Sequence, residues 1–160
     1  MLIVVDANIV FSALVSKGKP FELFEANKIF KVFEFVAPEF LFFEIDGRMD
    51  KLLRYTKLSK EGVSDVLSFI KKEIEFVSFS EFSDKMPEAI KLNFKDSPYL
   101  ALALKIGCSI LSGDKRLKEG QAKVKVLSPS EALSLIYKRE RQTKVKNLST
   151  KIPEHIYSKE

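Results

Sequence analysis

The chain opens Met1-Leu2-Ile3-Val4-Val5-Asp6-Ala7-Asn8, an apolar, β-branched run that stops on a carboxylate. Leu2 to Val5 has no polar residue on either alternating face, the mark of a central strand covered on both sides. Ile9, Val10, Ala13 and Leu14 then recur at helical spacing, and Gly18 and Pro20 are read as closing that helix. A fully buried strand leading straight into a helix is the unit from which open α/β sheets are built.

The rest of the chain continues the alternation. Phe21 to Asn27 reads as a short helix and Val32 to Ala37 as a strand. Pro38 is placed to open a helix reaching about Tyr55, with Leu41, Ile45, Met49 and Leu52 on one face. Ser59 can cap a further helix carrying Glu61 in its first turn and Val63, Val66, Leu67 and Ile70 inward. Phe76 to Phe79 reads as a strand and Glu81 to Leu92 as a weaker helix. Ser97-Pro98 starts a helix over Tyr99 to Ile106 that is apolar almost all round, so it belongs inside, against the sheet. Gly107 ends it. Ser109 to Leu111 and Val124 to Leu127 are the last strands, and Ser128-Pro129 begins a final helix through Ala132, Leu133, Leu135 and Ile136. The pattern predicts an α/β three-layer sandwich with a central, mostly parallel sheet over residues 1–137, followed by a basic helix end and tail over 138–160.

At 160 residues, 46% hydrophobic and 31% charged, the chain suits one domain with a substantial core. Its longest apolar runs fall far short of the roughly 20 residues that cross a bilayer. No charged leader or small-residue cleavage site precedes Asp6, so a secretory signal is not expected and a cytoplasmic protein is. One cysteine, Cys108, excludes an internal disulfide and a cysteine-based zinc site, and is read as a small buried hydrophobe. One histidine, His155, makes Ser-His-Asp hydrolysis and multi-histidine zinc catalysis hard to build, and is read as a solvated tail residue. Chemistry here must rest on carboxylates. The net charge of +5 is concentrated: Lys138, Arg139, Arg141, Lys144, Lys146 and Lys151 stand against Glu140 alone, leaving the remainder neutral. Such a segment is either a solvated helix end or a phosphate-contacting arm.

Sites in open α/β sheets form beyond the carboxyl ends of the strands. Asp6 follows the first strand, Asp114 follows Ser109 to Leu111 through Ser112-Gly113, and Asp96 precedes the buried helix. Glu44 is the one polar residue in Phe40 to Ile45, where burial is costly without compensation. Each has a structural explanation: Asp6 and Asp96 as helix caps, Asp114 as a turn residue, Glu44 as one half of an ion pair. The fold, however, brings all four to one sheet edge.

The ordered set of Leu2-Ile3-Val4-Val5-Asp6-Ala7-Asn8, Glu44 near a helix start, Asp96 opening an apolar helix, and Ser112-Gly113-Asp114 resembles the PIN domain, over roughly Met1 to Tyr137. PIN domains are compact α/β nucleases that bind Mg²⁺ or Mn²⁺ through a few acidic residues and cleave RNA; many are VapC-type toxins of toxin–antitoxin pairs. The resemblance implies that Asp6, Glu44, Asp96 and Asp114 are the catalytic quartet, that Asp6, Asp96 and Asp114 bind the metal, and that Asn8 and Ser112 orient a ligand or water. It also implies an RNA substrate, an antitoxin partner and a homodimer. In one departure, Lys115, Arg116 and Lys118 stand where many relatives carry a further acid, which makes phosphate contacts by those cations an expectation.

Four carboxylates in one place repel one another, each pair costing roughly 1 kcal/mol at about 4 Å in water and about 4 at an effective dielectric of about 20. A hard divalent ion relieves that repulsion, and oxygen ligands suit Mg²⁺ or Mn²⁺ better than zinc. The expected chemistry is metal-assisted phosphodiester hydrolysis, with Asp96 or Glu44 accepting the attacking water's proton. Lys115, Arg116, Lys138, Arg139 and Arg141 are expected to hold the RNA backbone. Two rivals stand beside it. A strand ending in Asp also begins the haloacid-dehalogenase-like phosphatases, which want an acid where this chain has Asn8. A non-catalytic RNA-binding or protein-interaction module would keep the fold and the charge without the reaction.

Overall fold

The structure, a computed structural model, describes residues 1–149. Lys151 and His155 lie outside the described residues. Five parallel strands form one sheet: β1 (Leu2–Val5), β2 (Glu34–Pro38), β3 (Ile74–Val77), β4 (Ser109–Leu111) and β5 (Val126–Leu127), in the order β3-β2-β1-β4-β5. The chain winds outward from β1 to β3, crosses back to β4 and ends at β5. Right-handed crossovers therefore put the early helices on one face and the later ones on the other. On the first face lie α1 (Ala7–Val15), α2 (Lys19–Phe30), α3 (Phe40–Gly47), α4 (Met49–Tyr55) and α5 (Lys60–Glu73). The return path contains α6 (Phe79–Phe82), a 3₁₀ turn (Ser83–Lys85), α7 (Met86–Leu92) and α8 (Ser97–Ile106), and α9 (Lys115–Glu119) joins β4 to β5. The last helix, α10 (Pro129–Ser149), returns to pack along α2.

The core follows from the apolar runs. Ile3, Val4, Val5, Ile110 and Leu111 are fully buried, and α8 packs directly on β1, β2 and β4. Leu100 to Ala103 are buried all round, as an apolar helix against a sheet requires. Gly107 ends α8 at φ +76°, a left-handed cap that favours glycine. The Ser59 hydroxyl accepts from the Gly62 amide at 3.0 Å and caps α5 as its position suggests.

Several boundaries differ from the sequence reading. Pro20 opens α2 instead of closing α1, since proline fits a first turn where no intrahelical N–H is needed. Pro38 ends β2, opposite Val77, and the next helix starts at Phe40. The long helix expected up to Tyr55 breaks at Arg48 (φ −114°, ψ 4°), just after Gly47. Residues 81–92 are divided among α6, the 3₁₀ turn and α7. The short α9 carries too few apolar positions to show a helical period. Residues 138–149 continue α10 without interruption. Cys108 is half-buried, just ahead of β4.

The turn from α2 into β2 depends on one buried amide. Asn27 Nδ2 donates to the Phe33 carbonyl at 2.9 Å, and its Oδ1 accepts from the Phe33 amide at 2.8 Å. Asn27→Ala would leave both backbone groups buried and unpaired, so it should destabilise the protein by roughly 2–4 kcal/mol in urea denaturation.

Candidate active site

The strand order reverses between β1 and β4, and the crevice at their carboxyl ends is where open α/β sheets place ligands. The backbone ladder runs one residue further there: the Asp6 amide donates to Leu111 O at 3.0 Å, and the Ser112 amide to Leu127 O at 3.0 Å. Asp6 and Ser112 are thereby fixed side by side at the sheet edge.

Asp6 occupies the N-cap position of α1, yet its side chain makes no capping bond. It turns to Ser112, whose hydroxyl donates to Asp6 Oδ2 at 2.7 Å. The same oxygen accepts from Asn8 Nδ2 at 3.1 Å and from the Asp114 amide at 3.0 Å, so its one proton and both lone pairs are in use. Asn8 completes the brace by accepting from the Gly113 amide through Oδ1 at 3.2 Å. Asp114 Oδ1 accepts from the Arg116 amide at 2.8 Å and caps α9.

From the other side, Asp96 stands at the N-cap of α8 with no capping bond from its carboxylate, while its amide donates to Asn93 Oδ1 at 3.1 Å. Three residues on, the buried Tyr99 hydroxyl donates to Glu44 Oε1 at 2.9 Å, tying α8 to α3. Arg48 Nη2 reaches Glu44 Oε2 at 3.4 Å. Glu44 thus has a phenol and a guanidinium to offset its place in an apolar helix.

The four acids share one electrostatic neighbourhood. Asp6 is 5% exposed, and burial raises its pKa to about 6; the Ser112 hydrogen bond opposes the rise, and the charges of Asp96 and Glu44 add to it. Asp96 is raised first by burial, with Lys95 lowering it and Asp114 and Glu44 raising it further. Burial and the neighbouring Glu44 carboxylate keep the Tyr99 phenol protonated.

A family model for the PIN domain matches residues 4–149. The chain belongs to the PIN domain family. PIN domains are in general nucleases that use divalent metal ions. Two solved structures share this fold. VapBC2 from Rickettsia felis, bound to a DNA fragment from their promoter, matches with a TM-score of 0.61 and 14% identity, over 80% of this chain and 98% of that one. PAE2754 from Pyrobaculum aerophilum matches with a TM-score of 0.57 and 14% identity, over 86% of this chain and 88% of that one. No curated protein matches the chain.

The donor set of this PIN domain is all oxygen, and its mutual repulsion is what a hard divalent cation relieves. Among the described residues, no three acids, histidines or cysteines stand close enough to ligate one ion by themselves. Mg²⁺ in general takes one or two protein carboxylates directly and keeps several waters. Asp6, Asp96 and Asp114, with Glu44 beside them, are the residues that would hold it.

The structure does not bring all the expected cations to this site. Lys115 and Arg116 are exposed and directly follow Asp114. Lys118 is engaged with Glu131 at 2.7 and 2.8 Å, and this pairing with the Ser128 amide pulls the Glu131 pKa down to about 2. Lys138, Arg139 and Arg141 lie along α10 beyond Tyr137. Arg139 lines a hollow with Phe30, Lys31 and Val32, just ahead of β2 and therefore toward the opposite sheet edge from Asp6. Sequence reasoning missed Tyr99, Arg48 and Asn93. Of these only Tyr99 left a signal, as the one phenol in an apolar helix that begins beside Asp96.

Asp6 also links the site to stability. Its folded pKa of about 6 lies above the ordinary 3.8, so the folded state holds its proton more tightly. Stability is lost as pH rises through that window and regained as pH falls through it. In EDTA, melting from pH 7.5 down to pH 5 should show the wild type gaining on Asp6→Asn, with Asp6→Asn more stable by about 2–3 kcal/mol at pH 7.5.

Proposed function

We propose that this chain is a Mg²⁺- or Mn²⁺-dependent endoribonuclease. The observation that carries this reading is the buried Asp6 carboxylate at the β1–β4 switch point, in the field of Asp96 and Glu44, with no lysine or arginine paired to it among the described residues. A protein does not keep such a group for stability. When bound, a divalent ion there lowers the pKa of water and offsets charge on the phosphoryl oxygens.

The chain's own residues divide the remaining tasks. Ser112 orients Asp6, and Asn8 holds Ser112, Gly113 and Asp114 in register. Tyr99 and Arg48 occupy the two oxygens of Glu44, so Asp96, whose carboxylate makes no capping bond, is better placed to take a proton from the attacking water. Lys115 and Arg116 contact phosphates next to the acids. Asn8 acts as a brace, which disfavours the phosphatase reading that needs an acid there.

We extend the reading to a cytoplasmic toxin that acts as a homodimer and is restrained by an antitoxin; the fold shared with VapBC2 supports the antitoxin. A groove of about 150 Å³ lined by Phe11, Val15, Leu52 and Tyr55, with Arg48 and Lys51 at its rim, offers an apolar seat with a cationic edge for such a partner.

Asp6→Asn and Asp114→Asn should fold and should each lower cleavage of single-stranded RNA at least a hundredfold in Mg²⁺ or Mn²⁺. Excess EDTA should abolish wild-type cleavage. Activity unchanged in both variants removes the mechanism, and RNA binding without cleavage in any metal favours the non-catalytic module.

A further inference from the structure

Two phenyl rings stand in solvent next to the acids. Phe43 is 73% exposed and immediately precedes Glu44 on α3; Phe94 is 78% exposed, two residues before Asp96. Phe94 is the most exposed large hydrophobic side chain among the described residues. This chain readily buries phenylalanine where packing asks for it, as at Phe24, Phe33, Phe35 and Phe82. Rings left bare next to two members of a carboxylate cluster therefore call for an occupant.

The two rings sit on chain segments that meet through their acids. Glu44 and Asp96 lie in each other's field, and the Tyr99–Glu44 hydrogen bond fixes α3 against α8. Cations accompany them: Lys95 is exposed between Phe94 and Asp96, and Lys115 is exposed after Asp114. Flat apolar faces interleaved with positive charge match a polyanion whose π-faces are open. A duplex hides those faces in its stack, whereas an unpaired strand presents them.

We propose that Phe43 and Phe94 are stacking platforms for unpaired bases of a single-stranded nucleic acid, one beside Glu44 and one beside Asp96, with Lys95 and Lys115 on its backbone. The proposal rests on the nuclease reading for its biological purpose, but it is measured by binding alone.

The test is fluorescence anisotropy in EDTA with two labelled ribose-phosphate 12-mers, one oligouridylate and one abasic. The wild type should prefer the base-bearing strand by about 5- to 150-fold for each stacked base. Phe43→Ala and Phe94→Ala should each lose most of that preference without weakening binding of the abasic strand, and Phe94→Tyr should retain it. Equal wild-type affinity for the two strands, or a preference that survives both alanine variants, overturns the proposal. Should those variants instead change the sedimentation coefficient while the preference persists, the rings serve a protein interface and the proposal is also overturned. Cleavage assays on the same preparations separate the two readings. Base preference without cleavage leaves the platforms standing and sinks the nuclease; cleavage without base preference does the reverse.

Discussion

A carboxylate at the end of a buried parallel strand, facing other carboxylates, is the constraint around which this molecule is arranged. Asp6 cannot retreat, because its own amide is the last rung of the β1–β4 ladder. It cannot neutralise itself against a lysine or arginine, because the nearest side-chain partner is the Ser112 hydroxyl. Neutral hydrogen-bond donors, the Ser112 hydroxyl and the Asn8 backbone, offset only part of the cost of desolvating a charge. The remainder appears as a proton held near neutral pH, or is removed by a cation from outside.

The surroundings keep that tension in place. Ser112 spends all its hydrogen-bonding capacity on Asp6, Asn8 and the Asp114 amide, so the loop after β4 cannot swing without breaking several contacts. Across the crevice, Tyr99 reaches from the most buried helix to Glu44. The acids are thus held by two separate braces, one on β1 and β4, the other on α8 and α3. Preorganisation of this kind is what catalysis by charge stabilisation requires, since the reorganisation has been completed in folding.

Much of this was legible in the sequence where the physics is local. Leu2 to Val5, Ser109 to Leu111 and Tyr99 to Ile106 are apolar on every side, which leaves only the centre of an α/β fold for them. Asp6, Asp96 and Asp114 could be placed because each directly adjoins one of those elements. What escaped depended on distant partners. Pro38 reads as a helix opener until its pairing opposite Val77 is known. The break at Arg48 falls just after Gly47, and nothing in the 41–52 periodicity announces it. The role of Tyr99 needs α3 to be in position. The expectation that Lys138, Arg139 and Arg141 contact RNA rested on charge, and the packing of α10 along α2, which the sequence did not announce, decides where they lie.

We propose that these acids form one electrostatic unit that takes a divalent cation. Carboxyl ¹³C chemical shifts followed through a pH titration, with EDTA and then with Mg²⁺, test it most directly. Asp6 should titrate at about 6 in EDTA, and Mg²⁺ should move that midpoint well down, carrying Asp96 with it. An Asp6 midpoint at about 4 in EDTA and unmoved by Mg²⁺ would contradict the account.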